Sequence, residues 1–175
     1  MQRGWFHNDM AIEHDYFGVL SSGPDGAIFW TERVECGDQS VTVDLTAPDQ
    51  DDISQAALDV AAAMITGIEN VDANVRGAML TEVDDRTSEV TEYILQQQQA
   101  YGEELEEVLV DVSGDVAVDI IRSLRFMSLT ILADEHGGSE PFAVLEYALD
   151  ADATDDVLLV NLGSDGSVLS VMSAD

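Results

Sequence analysis

The chain has 175 residues, of which 46% are apolar, and its 36 carboxylates against 6 arginines and no lysine give a net charge of −30. That apolar content excludes a disordered acidic tail, and the scarcity of basic residues excludes a basic stripe that binds a nucleic-acid backbone or anionic lipid. The single cysteine, Cys36, excludes an internal disulfide and a zinc site built from several cysteines.

The length and the apolar runs indicate the class of protein. A chain of this size can bury a sizeable core, so we predict a single domain over residues 1–175, with residues 1–14 as a candidate flexible arm. Every apolar stretch is far shorter than the ~20 residues that cross a bilayer, and no apolar signal sequence opens the chain. We therefore expect a cytoplasmic protein without a membrane partner, whose acidity suits either ordinary or high salt.

The first fifty residues predict strands and turns. Aromatic and β-branched residues are concentrated at 15–20, 27–35 and 39–45, and turn-forming sequences at 21–26 and 36–38 separate them. This order predicts two hairpins. In the last of the three strands apolar and polar residues alternate, as they do in a sheet with one solvated face.

The central part of the sequence predicts helices, because its apolar residues recur every three or four positions. This spacing predicts a helix over 53–69, a second over 72–83 and a third that starts near residue 87 or 88. The apolar stripe resumes past Gly102, so the third helix either continues with a kink or restarts there. A short fourth helix is predicted over 115–123.

In the last fifty residues apolar and polar residues alternate again, which predicts four more strands. A tight turn at 163–166 is predicted to join the last two strands. Strands, then helices, then strands, without βαβ alternation, predict an α+β fold. We expect antiparallel sheet from the N-terminal and C-terminal strands, packed against a central set of three to four helices. The pattern leaves open whether the two groups of strands share one sheet.

Five segments before the turn at 165–166 support a family resemblance through their order and spacing. They are YFGVL at 16–20, VTVDL at 41–45, VTEYI at 90–94, FAVLEY at 142–147 and DDVLLVNL at 155–162. Together they resemble a bacterial family of uncharacterised proteins, domain of unknown function two thousand and four. The resemblance covers most of the chain from about Tyr16 onward and implies an α+β domain with no catalytic or binding residues to carry over. It also implies a role near toxin and immunity systems, although this chain departs from the family in lacking lysine and in its glutamines at 96–99.

Three parts of the sequence contain residue types that ligate metals. His7 and His14 lie among carboxylates, a mixture that suits zinc, iron or manganese, but their spacing is too long for one ion on a helix. The acidic runs at 49–52 and 150–156 resemble calcium loops, but the second lacks the glycine at position 6 and the glutamate at position 12. We interpret all of these as solvated side chains and predict no metal site and no cofactor.

The sequence contains no pattern of a catalytic site. A Gly-x-Ser-x-Gly elbow, a Walker loop and a Gly-x-Gly-x-x-Gly fingerprint do not occur. Cys36 lies beside Glu35 and Asp38, and neighbouring carboxylates raise a thiol pKa and so weaken the nucleophile. His136 belongs to a predicted hairpin loop and needs no function. We therefore predict no catalytic residue and favour a binding protein over an enzyme.

The strongest candidate for a partner surface is a run of glutamates. Glu103, Glu104, Glu106 and Glu107 flank Leu105 on a predicted helix, where like charges three or four residues apart repel by about 0.2–0.5 kcal/mol per pair. A basic partner would relieve this repulsion and would associate faster because of electrostatic steering.

Three hypotheses on function stay open. We favour a protein-binding module, of the immunity or inhibitor kind, for a basic partner, with Trp5 and Phe6 as aromatic anchors; Trp30 fits a core position better. The second is a carboxylate-dependent or metal-dependent hydrolase that uses His7 or His14. The third is a small oligomeric structural protein whose exposed sheet edge pairs with a second copy.

Overall fold

The computed structural model describes residues 11–133 and 141–175, which form eight strands and five helices. The strands are β1 (Ile12–His14), β2 (Gly18–Leu20), β3 (Ile28–Cys36), β4 (Gln39–Ala47), β5 (Arg125–Leu132), β6 (Ala143–Ala148), β7 (Val157–Leu162) and β8 (Val168–Ala174). The helices are α1 (Gln55–Thr66), α2 (Ile68–Glu82), α3 (Glu89–Tyr101), the single turn α4 (Leu105–Val108) and α5 (Val116–Ser123). Short 3-10 turns at Gln50–Asp52 and Gly102–Glu104 precede α1 and α4.

The predicted α+β class is confirmed, because strands near both ends of the sequence flank the helices. Side chains of Ser54, Ser88 and Asp115 begin α1, α3 and α5 by accepting a hydrogen bond from the backbone N–H three residues on. Gly102 ends α3 with φ +53°, a conformation that favours glycine. The third helix therefore restarts as α4, which is one of the two outcomes that the sequence allowed.

The two groups of strands join in one six-stranded sheet of order β3-β4-β5-β6-β7-β8. Every neighbouring pair is antiparallel except β4 and β5, which run parallel and pair Thr42 with Ser128 and Leu45 with Ile131. A parallel pair requires a long crossover connection, and here all five helices lie within it. The sheet is therefore mixed, which the strand patterns did not reveal.

One predicted hairpin is wrong. The strand predicted at 15–20 is β2, and it pairs with β1 in a separate two-stranded sheet instead of with β3. The positive φ of Gly18 (+69°) permits the tight turn that folds β2 back on β1. Of the predicted N-terminal arm, residues 1–10 lie outside the described residues, and Ile12–His14 form β1.

The core lies between the helices and one face of the sheet. Val41, Val43 and Leu45 of β4 are fully buried, whereas Thr42 and Asp44 between them are half-buried, which confirms the predicted alternation. Buried residues of α1, α2, α3 and α5 belong to the same core cluster as those of the sheet. The outer strands β3 and β8 are the sheet edges, and the hypothesis of an oligomer built by edge pairing stays a prediction.

A partly buried polar network ties α2 to α5 and to the sheet. Arg76 donates hydrogen bonds to the carbonyl oxygens of Ile121 (2.8 Å) and Leu124 (2.7 Å), where α5 ends, and to the carboxylate of Asp72 (2.9 Å). The Tyr147 hydroxyl donates to the same carboxylate (2.8 Å), and the guanidinium lies 5.3 Å from the centre of the Tyr147 ring. Burial, and next the charge of Asp72, raise the pKa of Tyr147 and keep it a donor. One arginine thus satisfies carbonyls that the end of α5 leaves unpaired.

We expect the substitution Arg76→Met to lower the free energy of unfolding by roughly 3 kcal/mol, because Asp72 loses its cation and the α5 carbonyls lose their donor. Urea denaturation measures the change. Arg33→Met, at an exposed position on β3, is the control and changes the free energy by less than about 0.5 kcal/mol. Equal losses in the two variants would show that the network contributes nothing to stability.

Candidate docking surface

The four predicted glutamates occupy the short turn and helix after α3, and all four are exposed. Gly102 breaks α3, and the chain then forms the 3-10 turn Gly102–Glu104 followed by α4. Leu105 enters the core with 7% of its surface exposed, so it anchors this segment while the glutamates on either side face solvent. The predicted surface residues Glu103, Glu104, Glu106 and Glu107 are therefore placed together.

Two side chains of α5 hold the loop that follows α4. The backbone N–H of Val110 donates to the hydroxyl of Ser123 (2.9 Å). Ser113 donates to Asp119 twice, from its backbone N–H (2.9 Å) and from its hydroxyl (2.6 Å). Asp119 is only 1% exposed, and the hydrogen bond from the Ser113 hydroxyl is the main cause that lowers its pKa. The loop is therefore fixed at two points.

This fixed loop and the first residue of α5 expose apolar side chains that follow the glutamates in the sequence, and Val110 lines the same groove as Glu107. Val110 is 79% exposed, Val112 55% and Val116 38%. The docking surface is defined here as these three valines together with Glu103, Glu104, Glu106 and Glu107. It combines a dense negative charge with apolar side chains, a combination that suits contact with a protein that is both basic and apolar.

A groove of about 640 Å³ adjoins this surface at the amino ends of β4 and β5. Its walls come from residues 38–40, residues 107–110, the segment around Arg125, and the end of β6 with Asp150. Three carboxylates, those of Asp38, Glu107 and Asp150, line the groove against the single guanidinium of Arg125. The groove therefore continues the negative charge of the docking surface inward.

The structure gives His14 a different role from metal binding. Its Nε2 lies 2.9 Å from the Asp59 carboxylate, and its Nδ1 accepts a hydrogen bond from the backbone N–H of Tyr16 (3.1 Å). Both ring nitrogens are thus in use, which leaves neither lone pair free for a metal. Within residues 11–133 and 141–175 no three His, Cys, Asp or Glu side chains are grouped so that they could hold a metal ion.

The structure also shows the surroundings of three other residues from the sequence analysis, Cys36, Asp49 and Trp30. Cys36 is buried, and burial followed by the charges of Asp72 and Glu69 raises the pKa of its thiol, so it is a poor nucleophile. Asp49 accepts a hydrogen bond from the backbone N–H of Asp51 (3.0 Å) and begins a 3-10 turn. Trp30 is half-buried and packs edge to face on Phe17 at 4.8 Å, next to the core.

Four residues that the sequence analysis considered lie outside the described residues: Trp5, Phe6, His7 and His136.

Sequence reasoning missed the residues that shape the docking surface. Asp119 interrupts an otherwise apolar helical face next to Ile120 and Ile121, and an acid in such a position is a signal of a buried hydrogen-bonded carboxylate. Val110 and Val112 resemble strand residues by their alternation, and only the structure shows them exposed. The hydroxyls of Ser113 and Ser123 gave no sequence signal at all.

Comparisons with known proteins do not identify the chain: no protein-family model, no curated protein and no solved structure matches it. Among the helices described, none is both long enough and apolar enough to cross a membrane.

We expect Asp119→Asn to destabilise the protein at neutral pH, because the folded state loses the carboxylate that holds Ser113. The pKa of Asp119 is lowered from 3.8, so its contribution is present above the unfolded pKa of about 3.9 and is lost as pH falls through the folded pKa. The stability difference from the natural chain should therefore shrink below about pH 3.9. Thermal unfolding at a series of pH values measures it.

The control is Asp111→Asn, in the same loop, where the carboxylate is exposed and lies 3.9 Å from Arg122. An exposed ion pair of this kind contributes little to stability. A difference between Asp119→Asn and the natural chain that is independent of pH would contradict the role given to the charge of Asp119.

Proposed function

We propose that this chain is a binding module that captures a basic protein partner, in the manner of an immunity or inhibitor protein, through its docking surface. The observation that carries the proposal is the 79% exposure of Val110 in a fixed loop beside four exposed glutamates. Exposed apolar side chains rimmed by charge are typical of protein interaction sites.

The charge of the surface and its apolar side chains have separate roles in this proposal. The four glutamates add to a net charge of −30 and attract a cationic partner, which raises the rate of association. Valines that lose contact with water in the complex supply affinity that does not depend on salt. A partner that presents lysine or arginine next to an apolar side chain fits both requirements.

The hydrogen bonds of the loop favour tight binding. Ser123 and Asp119 hold the segment at Val110 and Ser113, so little freedom is left to lose when a partner docks. The adjoining groove of about 640 Å³ has room for a long side chain, and its three carboxylates favour a basic one. We therefore expect a partner to insert lysine or arginine beside Val110.

Binding of two synthetic peptides of equal charge tests the proposal: an amphipathic lysine-leucine peptide and an oligolysine, both measured by fluorescence anisotropy at low and physiological salt. Replacement of the four glutamates by glutamine should weaken binding of both peptides by about tenfold or more at low salt. Val110→Ser should weaken binding of the lysine-leucine peptide only, since oligolysine offers no apolar side chain to Val110.

A matched control removes the same charge elsewhere on the surface. Four exposed glutamates, each replaced by glutamine, serve for this: Glu13, Glu32, Glu35 and Glu92. The control should bind nearly as well as the natural chain. If both fourfold variants lose affinity equally, attraction to the overall charge explains the binding and the proposed docking surface is wrong.

A further inference from the structure

The six-stranded sheet has two edge strands, and their charges differ. The strand β3 contains Glu32, Arg33 and Glu35 at one edge, whereas β8 at the other edge has no charged residue among its seven. Charged side chains on an edge strand oppose pairing with the edge of another molecule, because a second strand beside them would remove part of their hydration. In a chain with a net charge of −30, the edge at β8 lacks this protection.

Backbone groups of β8 point away from the rest of the sheet. The N–H of Ser173 donates to the carboxylate of Glu89 at the start of α3 (3.2 Å), so it faces away from β7. Because backbone direction alternates along an antiparallel strand, the N–H and C=O of Val171 face the same way. Within the described part of the chain, no strand and no other backbone group pairs with Val171 on that side. Val171 therefore offers one donor and one acceptor to a further strand.

Exposed apolar side chains accompany this edge. Leu169 is 47% exposed and Met172 is 45% exposed. Ser170 and Met172 flank Val171, which belongs to the core, so their side chains lie on the face of the sheet opposite the core. A strand added beside β8 would cover part of these side chains while it pairs with the backbone.

We propose that β8 pairs antiparallel with β8 of a second copy of this chain, on a two-fold axis at Val171, so that the two sheets become continuous. The outward N–H and C=O of Val171 then exchange hydrogen bonds with the same groups of the second copy. Such an interface is self-complementary, because the same surface is used on both sides of the axis. Charge favours the same occupant: a basic partner finds no carboxylate on β8, whereas a second acidic copy meets the least repulsion there.

Glu89 opposes this pairing and limits its extent. Its carboxylate occupies the N–H of Ser173 and, with Glu92 and Asp175, lines a groove at the carboxyl end of β8. A second strand that extended over this end would displace the carboxylate and bring the acids of the two copies together. A register shift near the start of β8 makes the other end irregular. The pairing therefore depends on the middle of β8, and we expect a small interface and a reversible dimer.

Sedimentation equilibrium of the full chain at low and high salt tests the proposal, over protein concentrations from about 1 μM to about 1 mM. We expect a monomer–dimer equilibrium whose dissociation constant falls about threefold or more as salt rises, since salt screens the repulsion between two acidic copies. Capture of a basic partner at the docking surface changes with salt in the opposite direction. The two proposals can therefore fail separately.

Substitutions at the two edges locate the interface. Leu169→Glu and Met172→Glu place a charge at β8 and should each weaken the dimer at least tenfold, and either variant suffices if the other does not fold. Phe29→Glu is the matched control, because Phe29 is 65% exposed on β3 at the opposite edge, and it should change the dissociation constant less than twofold. Amide hydrogen exchange at Val171 should slow when the dimer forms.

Removal of the opposing carboxylate should act in the other direction. Glu89→Ala releases the N–H of Ser173 and should strengthen the dimer at least threefold more than Glu92→Ala, which removes the same charge from the same groove. A chain that stays monomeric at the highest concentration and salt would overturn the proposal and leave the edge to a strand of a different protein. A dimer that Phe29→Glu weakens as much as Leu169→Glu would overturn it as well, since association would then use another surface.

Discussion

The parallel pairing of β4 with β5 is the constraint on which the rest of this structure depends. It joins strands from the two ends of the sequence in one sheet and obliges all five helices to lie in the connection between them. The helices then share one core with the sheet, and Arg76 closes the end of α5 just before β5 begins. The docking surface and its groove lie where this crossover returns to the sheet, at the amino ends of the parallel pair.

The carboxylates of this acidic chain have different surroundings: some face solvent, and a few make specific hydrogen bonds inside the protein. The glutamates around Leu105 are exposed and keep their hydration. Asp72 and Asp119 are drawn inside, each with donors that offset the loss of water: Arg76 and Tyr147 for the first, Ser113 for the second.

Much of the fold follows from residue spacing, whereas much of the candidate site does not. Helices α1, α3 and α5 and the four C-terminal strands were predictable because local periodicity and capping residues such as Ser88 and Asp115 specify them. The pairing of β2 with β1 was not, since the turn at 21–26 is equally compatible with a hairpin to β3. The glutamates around Leu105 were identifiable from their charge alone. Asp119 and Ser123, which hold the adjoining loop, were missed because their partners are distant in sequence or lack a pattern.

The sequence by itself determined the α+β class, the alternation that buries Val41 and leaves the opposite face of β4 half-buried, and the acidic character of the chain. These properties depend on composition and on neighbours a few residues apart. Tertiary structure alone decided that the sheet is mixed, that Val110 stays outside the core, and that Gln97 meets Asp156 across 59 positions of the chain. Such outcomes depend on which distant surfaces pack together, and the local period of a helix or strand carries no information about that choice.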